Sequence, residues 1–200
     1  MILLLNDMEV KEIKVSDDLE KLILDINSAS WDEGNDIQCY SVSSLSAYLE
    51  RQDSLFLACY LERDGQNTLL GIASARLEWK PYADRPWLYV DEIDTCCNHR
   101  RKGVATKLMS TFFNLAKEKD CSEVWLGTES TNLAAQKLYQ SLSPQHADLF
   151  IGYTFNIHKS GWMVPPRPNV PRDESRPSKE ELERQMSVLL PTKSPYIEDS

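Results

Sequence analysis

The seven residues Arg100-Arg101-Lys102-Gly103-Val104-Ala105-Thr106 constrain this chain more than any other stretch. They join a run that reads as a strand, Trp87 to Thr95, to one that reads as an amphipathic helix, Val104 to Lys117. In the second run Val104, Leu108, Phe112 and Leu115 recur at helical spacing. A Gly at such a junction has no Cβ and lets backbone approach a ligand. The first helical turn then offers N–H groups without intrahelical partners and the positive end of the dipole. Three cations stand immediately before that turn, so the run predicts a site for a phosphate or pyrophosphate. The spacing is neither that of a P-loop nor the Gly-x-Gly-x-x-Gly of dinucleotide folds.

The surrounding pattern alternates strands and helices. Met8 to Val15 reads as a strand. Ser16 is placed to cap a helix running to about Asn27, with Asp17 and Asp18 in its first turn and Leu19, Leu22, Ile23 and Ile26 on one face. A polar stretch, Ser28 to Gln38, follows, then a short helix from Ser43 to Arg51. Leu55 to Leu61 and Thr68 to Leu77 read as strands joined by the turn Asp64-Gly65-Gln66-Asn67. Two prolines break the pattern between Lys80 and Pro86. Beyond the long helix, Cys121 to Thr128 reads as a strand, Asn132 to Leu142 as a helix and Leu149 to Ile157 as a last strand. The class is α/β with a mixed sheet.

Arg100-x-x-Gly103-x-Ala105 resembles the Arg/Gln-x-x-Gly-x-Gly/Ala signature of the GNAT superfamily of N-acetyltransferases. Asn132-x-x-Ala135-x-x-Leu138-Tyr139-x-x-Leu142 resembles that family's second signature. The resemblance covers roughly residues 54 to 157. It implies a GNAT-type mixed, mostly antiparallel central sheet flanked by helices, and acetyl-CoA as co-substrate, with no metal. It also implies that Arg100, Arg101, Lys102, Gly103, Val104, Ala105 and Thr106 hold the pyrophosphate. The backbone of Ile93, Asp94 and Thr95 would bind pantetheine, as if it were an extra strand. Asn132 would touch the pantetheine arm, and Tyr139 would act as the acid that protonates the departing thiolate. The run from Tyr89 to Thr106 is locally most similar to the type I aminoglycoside 3-N-acetyltransferases. One departure stands out. The family often places Gly after Leu-Tyr-x-x-Leu to end the helix in a left-handed turn. Ser143-Pro144 stands there instead, so a different cap is expected.

Acetyl transfer to an amine also needs a base. Along an extended strand side chains alternate. That places Leu88, Val90, Glu92 and Asp94 on one face and Tyr89, Asp91, Ile93 and Thr95 on the other. Glu92 is the leading candidate to accept the amine proton, with Asp94 and Glu129 as alternatives. The same acids are equally placed to bind the ammonium without taking its proton. His99 reads as a solvent-facing loop residue, and no triad spacing surrounds His146 or His158. Direct attack is the family's usual route, so an acyl-cysteine on Cys96 or Cys97 is discounted. In the family the loop between the first two helices shapes the acceptor site. Here it carries Trp31, Asp32, Glu33 and Asp36 and no cation, which suits a small cationic amine such as an aminoglycoside-like compound. Acetylation of a protein amine, or a CoA-binding regulatory module without catalysis, remain alternatives.

Charge sets the partners. The tail from Lys159 holds seven Lys/Arg and seven Asp/Glu, so the whole net charge of −9 sits on residues 1–158. An acidic body does not suit nucleic acid. Seven prolines between 165 and 195 predict a disordered tail over 159–200. One short helix is expected there at about 178–190, where Ser178-x-x-Glu181 forms a capping box. The acetyltransferase domain is accordingly expected over 1–158. The apolar start Met1 to Leu5 is too short for a signal-peptide core or a membrane span. Five cysteines without metal-ligand spacing suggest reduced thiols and a cytoplasmic setting. No membrane partner is expected, and a homodimer is left open.

Overall fold

The structure is a computed structural model that describes residues 7–31, 39–63 and 65–153. Five strands form one sheet in the order β1-β2-β3-β4-β5: β1 (Met8–Glu12), β2 (Ser54–Arg63), β3 (Gln66–Glu78), β4 (Trp87–Thr95) and β5 (Glu123–Leu126). The first four pair antiparallel with their neighbours. β4 and β5 are parallel, because a helix carries the chain across between them. Among the described residues the α-helices are α1 (Leu19–Ser28), α2 (Val42–Leu49), α3 (Val104–Glu118) and α4 (Leu133–Ser141). The mostly antiparallel α/β sheet is the expected one.

Two apolar clusters cover the two faces. Leu55, Leu57, Leu70, Ala73, Leu88 and Val90 pack with Val104, Leu108, Met109 and Phe112 of α3. Phe56, Ala58, Leu69 and Ile72 pack with Leu19, Leu22, Ile23 and Ile26 of α1 and Leu45 of α2. Alternation along β2 produces this division directly, since Leu55 and Leu57 face α3 while Phe56 and Ala58 face α1 and α2.

Helix starts and stops differ from expectation in two informative places. α1 is capped by Asp18, whose carboxylate accepts the Lys21 amide at 3.0 Å, and not by Ser16. Asp17 is used one step earlier. It accepts the Lys14 amide at 2.7 Å and the Lys11 ammonium at 2.7 Å, which closes a turn ahead of the helix and lowers the Asp17 pKa. At the end of α4, Ser143 adopts φ 57°, so the left-handed turn is kept without a Gly. The expectation of a different cap was wrong.

The expected last strand is not seen in its described part. Residues 149–153 carry no strand, and Leu149, Phe150, Ile151 and Tyr153 are exposed. An alternating apolar run becomes a strand only when it finds a pairing edge. Residues 154–157, the tail and its expected helix lie outside the described residues. The chain divides into two compact units, Met1–Leu142 and Ser143–Ser200. Among the described residues no helix is long and apolar enough to cross a membrane.

A serine in the left-handed region carries about 1–2 kcal/mol of strain, partly offset because Gly adds entropy to the unfolded chain. Ser143→Gly should therefore stabilise the protein by about 0.5–1 kcal/mol, seen as a higher urea midpoint at unchanged m-value. A lower midpoint would show that this turn is not left-handed in solution.

Candidate active site

The site begins with an irregularity in β4. Across the β3–β4 ladder Ala75 pairs with Val90 but Ser74 pairs with Glu92, so Asp91 is an extra residue, a β-bulge. The bulge reverses the alternation. Leu88 and Val90 lie in the α3 core, and Ile93, three residues beyond Val90, packs against the same core. Glu92 and Asp94 therefore turn to the opposite face, where their ladder partners Ser74 and Ile72 accompany Phe56 and the α1–α2 cluster. Glu92 and Asp94 do share a face, as expected from sequence. They do not share it with Leu88 and Val90, because strict period-two counting cannot survive a one-residue insertion.

Glu92 and Asp91 open onto a cavity of about 500 Å³, together with Tyr40, Ser44, Leu45, Tyr48, Phe56, Ser74 and Arg76. Its floor is apolar, with Leu45 and Phe56 buried. Tyr40 stands against Phe56 edge-on, ring centres 6.0 Å apart. The backbone of Tyr40 is clamped by Asn27 of α1, whose amide group donates to the Tyr40 carbonyl at 2.9 Å and accepts its N–H at 3.0 Å. Burial raises the Tyr40 hydroxyl pKa, and the charges of Glu92 and Asp94 raise it further. Tyr48 donates to the Ala75 carbonyl at 2.8 Å, and burial followed by the Asp91 charge pushes its pKa up to about 12. Both hydroxyls stay protonated at neutral pH.

β5 ends at Leu126, opposite Val90, while β4 continues to Thr95. The distal half of β4, containing Ile93, Asp94 and Thr95, thus extends beyond its parallel neighbour. The chain then enters a short turn of 3-10 helix, Cys97–His99, and the basic run. Arg101 (φ 59°) and Gly103 (φ 86°) are both left-handed. Gly103 is the N-cap of α3 and makes no side-chain cap, so the amides of the first turn face forward without an internal acceptor. Val104 is buried and anchors that turn on the sheet, while Thr106 is exposed and Ala105 half-buried. Lys102 folds back to donate to the Asn98 carbonyl at 2.6 Å. The turn has the built-in features of an anion cradle, namely uncapped amides, the helix dipole and clustered cations.

The remaining sequence candidates separate clearly. Tyr139 on α4 is half-buried, and its pKa is raised by burial and then by the charge of Asp94. Asp94 thus has both Tyr40 and Tyr139 within electrostatic reach. Asn132 lies just outside α4, where its Oδ1 accepts the Ala135 amide at 3.0 Å as the helix cap. Its carboxamide oxygen is therefore engaged by α4 itself. Glu129 is exposed, and its carbonyl accepts the Asn132 amide at 3.0 Å. Asp32, Glu33 and Asp36 lie outside the described residues. Trp31 is not a free aromatic of that loop. It packs against the α1–α2 cluster, and its indole N–H donates to the Ile26 carbonyl at 2.8 Å.

His99 is half-buried rather than solvent-facing, and its Nδ1 has no hydrogen-bond partner. Burial and then Lys102 lower its pKa. Cys96 is buried, and burial pushes its pKa up to about 11. A thiol held so far from ionisation is a poor nucleophile, in keeping with direct attack. Sequence reasoning missed Tyr40, Tyr48, Ser74 and Arg76. Only the bulge brings Glu92 to them, and no local pattern announces it.

The sequence profile of the acetyltransferase (GNAT) family matches residues 18–143, and the chain belongs to that family. It is 28% identical over 114 residues to human N-acetyltransferase 8, a match covering 56% of this chain and 48% of that protein. It is 30% identical over 103 residues to N-alpha-acetyltransferase 30 of Xenopus laevis, covering 52% of this chain and 36% of that protein. The chain thus spans less than half the length of either relative. The fold is similar to an aminoglycoside acetyltransferase from an uncultured soil metagenomic sample, solved in complex with trehalose. The TM-score is 0.65 at 18% identity, over 76% of this chain and 97% of that one. It is also similar to AAC(6')-Iy in complex with a bisubstrate analogue joining CoA to acetylneamine, with TM-score 0.56 at 18% identity, over 74% and 98%.

Gly71 ties the parts together. A Cβ there would lie 2.5 Å from the Asp94 carbonyl oxygen and 2.9 Å from Val104 Cγ1. β3 therefore approaches both the distal end of β4 and the start of α3 closely enough to exclude any side chain. Gly71→Ala should cost about 1–3 kcal/mol of stability and weaken acetyl-CoA binding measured by calorimetry on the folded protein. Native stability in this variant would show that β3 and β4 are not so close.

Proposed function

We propose that the chain transfers the acetyl group of acetyl-CoA to the primary amine of a small cationic acceptor of the aminoglycoside-like kind, by direct attack. The observation that carries the reading is the bulge at Asp91. It turns Glu92 onto a cavity of about 500 Å³, with Asp94 on the same face of the strand, and that strand leads into the uncapped basic turn of α3. Acetyl-CoA, when bound, supplies an activated acetyl thioester. The residues present fit such a group. Arg100, Arg101 and Lys102, with the amides of Gly103 to Thr106, hold the pyrophosphate. Ile93 to Thr95 offer a strand edge beyond β5 to the amide-bearing arm, and an N–H of that edge serves the developing oxyanion. Asn132 borders this arm.

Glu92 accepts the proton of the attacking amine, with Asp94 beside it to hold the ammonium beforehand. Tyr139 faces the sulfur. With its pKa raised above that of an ordinary phenol, it is a weaker acid than a thiol of pKa about 8.5. It therefore stabilises the thiolate by donating a hydrogen bond, not by giving up its proton fully. The likeness in fold to aminoglycoside acetyltransferases supports the acceptor class. The finer likeness to 3-N-acetyltransferases rests on residues 89–106 alone. Acetylation of a protein's amino terminus is the second reading. The apolar floor of Leu45 and Phe56 and the similarity to N-alpha-acetyltransferase 30 favour it. A panel of aminoglycosides and short peptides, assayed for acetyl-CoA-dependent thiol release, separates the two.

Three variants test the roles. Gly103→Val, which also strains a left-handed backbone, should abolish acetyl-CoA binding in calorimetry. Unchanged affinity would remove the cofactor site from this turn. Tyr139→Phe should lower kcat about 10- to 100-fold, the size of a hydrogen bond to a charged group, with acetyl-CoA affinity nearly intact. Glu92→Gln should lower kcat, with the rate recovering at high pH as free amine forms unaided. If Glu92 only binds the ammonium, KM should rise with kcat spared.

A further inference from the structure

The bulge that turns Glu92 needs something to hold it, and β3 supplies it. Asp91, the inserted residue, has no ladder partner across β3. Its carboxylate instead forms an ion pair with Nη1 of Arg76. Arg76 is held from two further directions. Its Nε lies 3.4 Å from the Glu78 carboxylate. Glu78 in turn meets the Lys80 ammonium at 3.3 Å. The Arg76 guanidinium lies 4.0 Å above the ring of Tyr89, its own ladder partner on β4. Tyr89 stacks on Trp125 of β5, with ring centres 4.7 Å apart and planes 25° apart. A cation and two aromatic rings therefore run across β3, β4 and β5 one step before the bulge. The guanidinium at the end of that row grips the inserted residue.

We propose that Arg76 is a positioning residue for acetyl transfer: through its ion pair with Asp91 it fixes the β4 bulge and so aims Glu92 into the acceptor cavity. The inference rests on the proposed role of Glu92 and adds to it. Arg76 need not touch either substrate. Its geometry explains why an arginine is present in a cavity that is to accept a cation. The guanidinium is committed to Asp91 and Glu78, and it cancels charge that does not belong to the reacting carboxylates. A planar cation that meets two carboxylates through different nitrogens while stacking on a ring suits Arg and is only partly met by Lys. Without the pair, Asp91 would be free to re-enter the ladder. A one-residue slip there returns Glu92 to the α3 side, where an apolar core would oppose it, or leaves the distal strand without a fixed direction.

Two measurements test this. The first is crystallographic and independent of any acceptor. Arg76→Met and Asp91→Asn should each show β4 beyond Val90 re-registered or in more than one conformation, with Glu92 displaced from Tyr40. Arg76→Lys should keep the bulge. An Arg76→Met structure with Asp91 still bulged and Glu92 still beside Tyr40 would overturn the proposal. The second is a double-mutant cycle in acetyl transfer, with sisomicin as the acceptor probe. Arg76→Met should lower kcat at least tenfold with acetyl-CoA affinity nearly unchanged, and Arg76→Lys should restore part of it. In a Glu92→Gln background the same change should cost little more. Losses that multiply would mean Arg76 acts independently of Glu92. If the wild-type chain does not turn over sisomicin, the acceptor reading fails, while the crystallographic arm still decides the role of Arg76. Should Arg76→Met not fold, Asp91→Asn, which keeps the guanidinium stack, carries both arms.

Discussion

One extra residue in β4 governs the rest of this molecule. Up to Val90 the strand belongs to the α3 core, where Leu88 and Val90 are buried. Were Asp91 paired in the ladder instead of bulged out of it, continued alternation would drive the carboxylates of Glu92 and Asp94 into that same apolar layer. Desolvating two carboxylates is far costlier than any hydrogen bond the ladder returns. With Asp91 bulged out, Ile93 fills the apolar face, Glu92 turns toward Tyr40 and Ser74, and Asp94 lies on the same side opposite Ile72. The core and the reactive face are thus two outcomes of the same insertion. The loss of local ladder pairing is offset by the Arg76–Asp91 ion pair and the stacked rings beside it.

The second requirement is to bring that face up to the start of α3. Gly71 permits it, because β3 can approach the Asp94 carbonyl and Val104 only without a Cβ. Val104 is the first residue of α3 and is buried against the sheet, so the helix start cannot drift relative to β4. The left-handed Gly103 then directs the first-turn amides outward. Fixed amides at a helix start cost no reorganisation when an anion arrives, which is why such turns recur at phosphate sites. The two halves of the proposed chemistry, holding a donor and receiving an amine, are joined by this single close contact between β3, β4 and α3.

The strand and helix order, the strand–turn–helix at the basic run and the helical stripes of α1 and α3 were legible because periodicity reports them directly. Leu19, Leu22, Ile23 and Ile26 are buried together as their spacing required. The pairing of Glu92 with Asp94 on one face was also legible, but the identity of that face was not. It depends on a bulge, and a bulge depends on the ladder with β3. The cavity residues Tyr40, Tyr48 and Arg76 are separated from Glu92 by long stretches of chain, so only tertiary structure unites them. The start of α1 was misread for a different reason. Ser16 reads as the cap with Asp17 and Asp18 in the first turn, but Asp17 closes a turn with Lys11 and Lys14 ahead of the helix, and Asp18 caps it. At the end of α4 the rule that a left-handed turn wants Gly was too strict, since Ser143 adopts it at a modest cost.

The proposed acidic site for an amine faces a conflict that its layout addresses. A carboxylate that binds an ammonium also raises the ammonium's pKa, which makes the nucleophile harder to release. A site with only one acid must compromise between holding the cation and taking its proton. Here Glu92 and Asp94 lie on one face two residues apart, with protonated Tyr40 and Tyr139 within reach of their charge. Two acids allow the work to be divided, one keeping the cation in place while the other accepts the proton. The tyrosines, kept neutral by burial, add donors without adding charge. Asp91, the third carboxylate at the cavity, is withdrawn from this balance by Arg76. With Asp91 paired to Arg76, Glu92 is the cavity carboxylate left to meet an acceptor in the proposed reaction, with Asp94 on the same face of the strand.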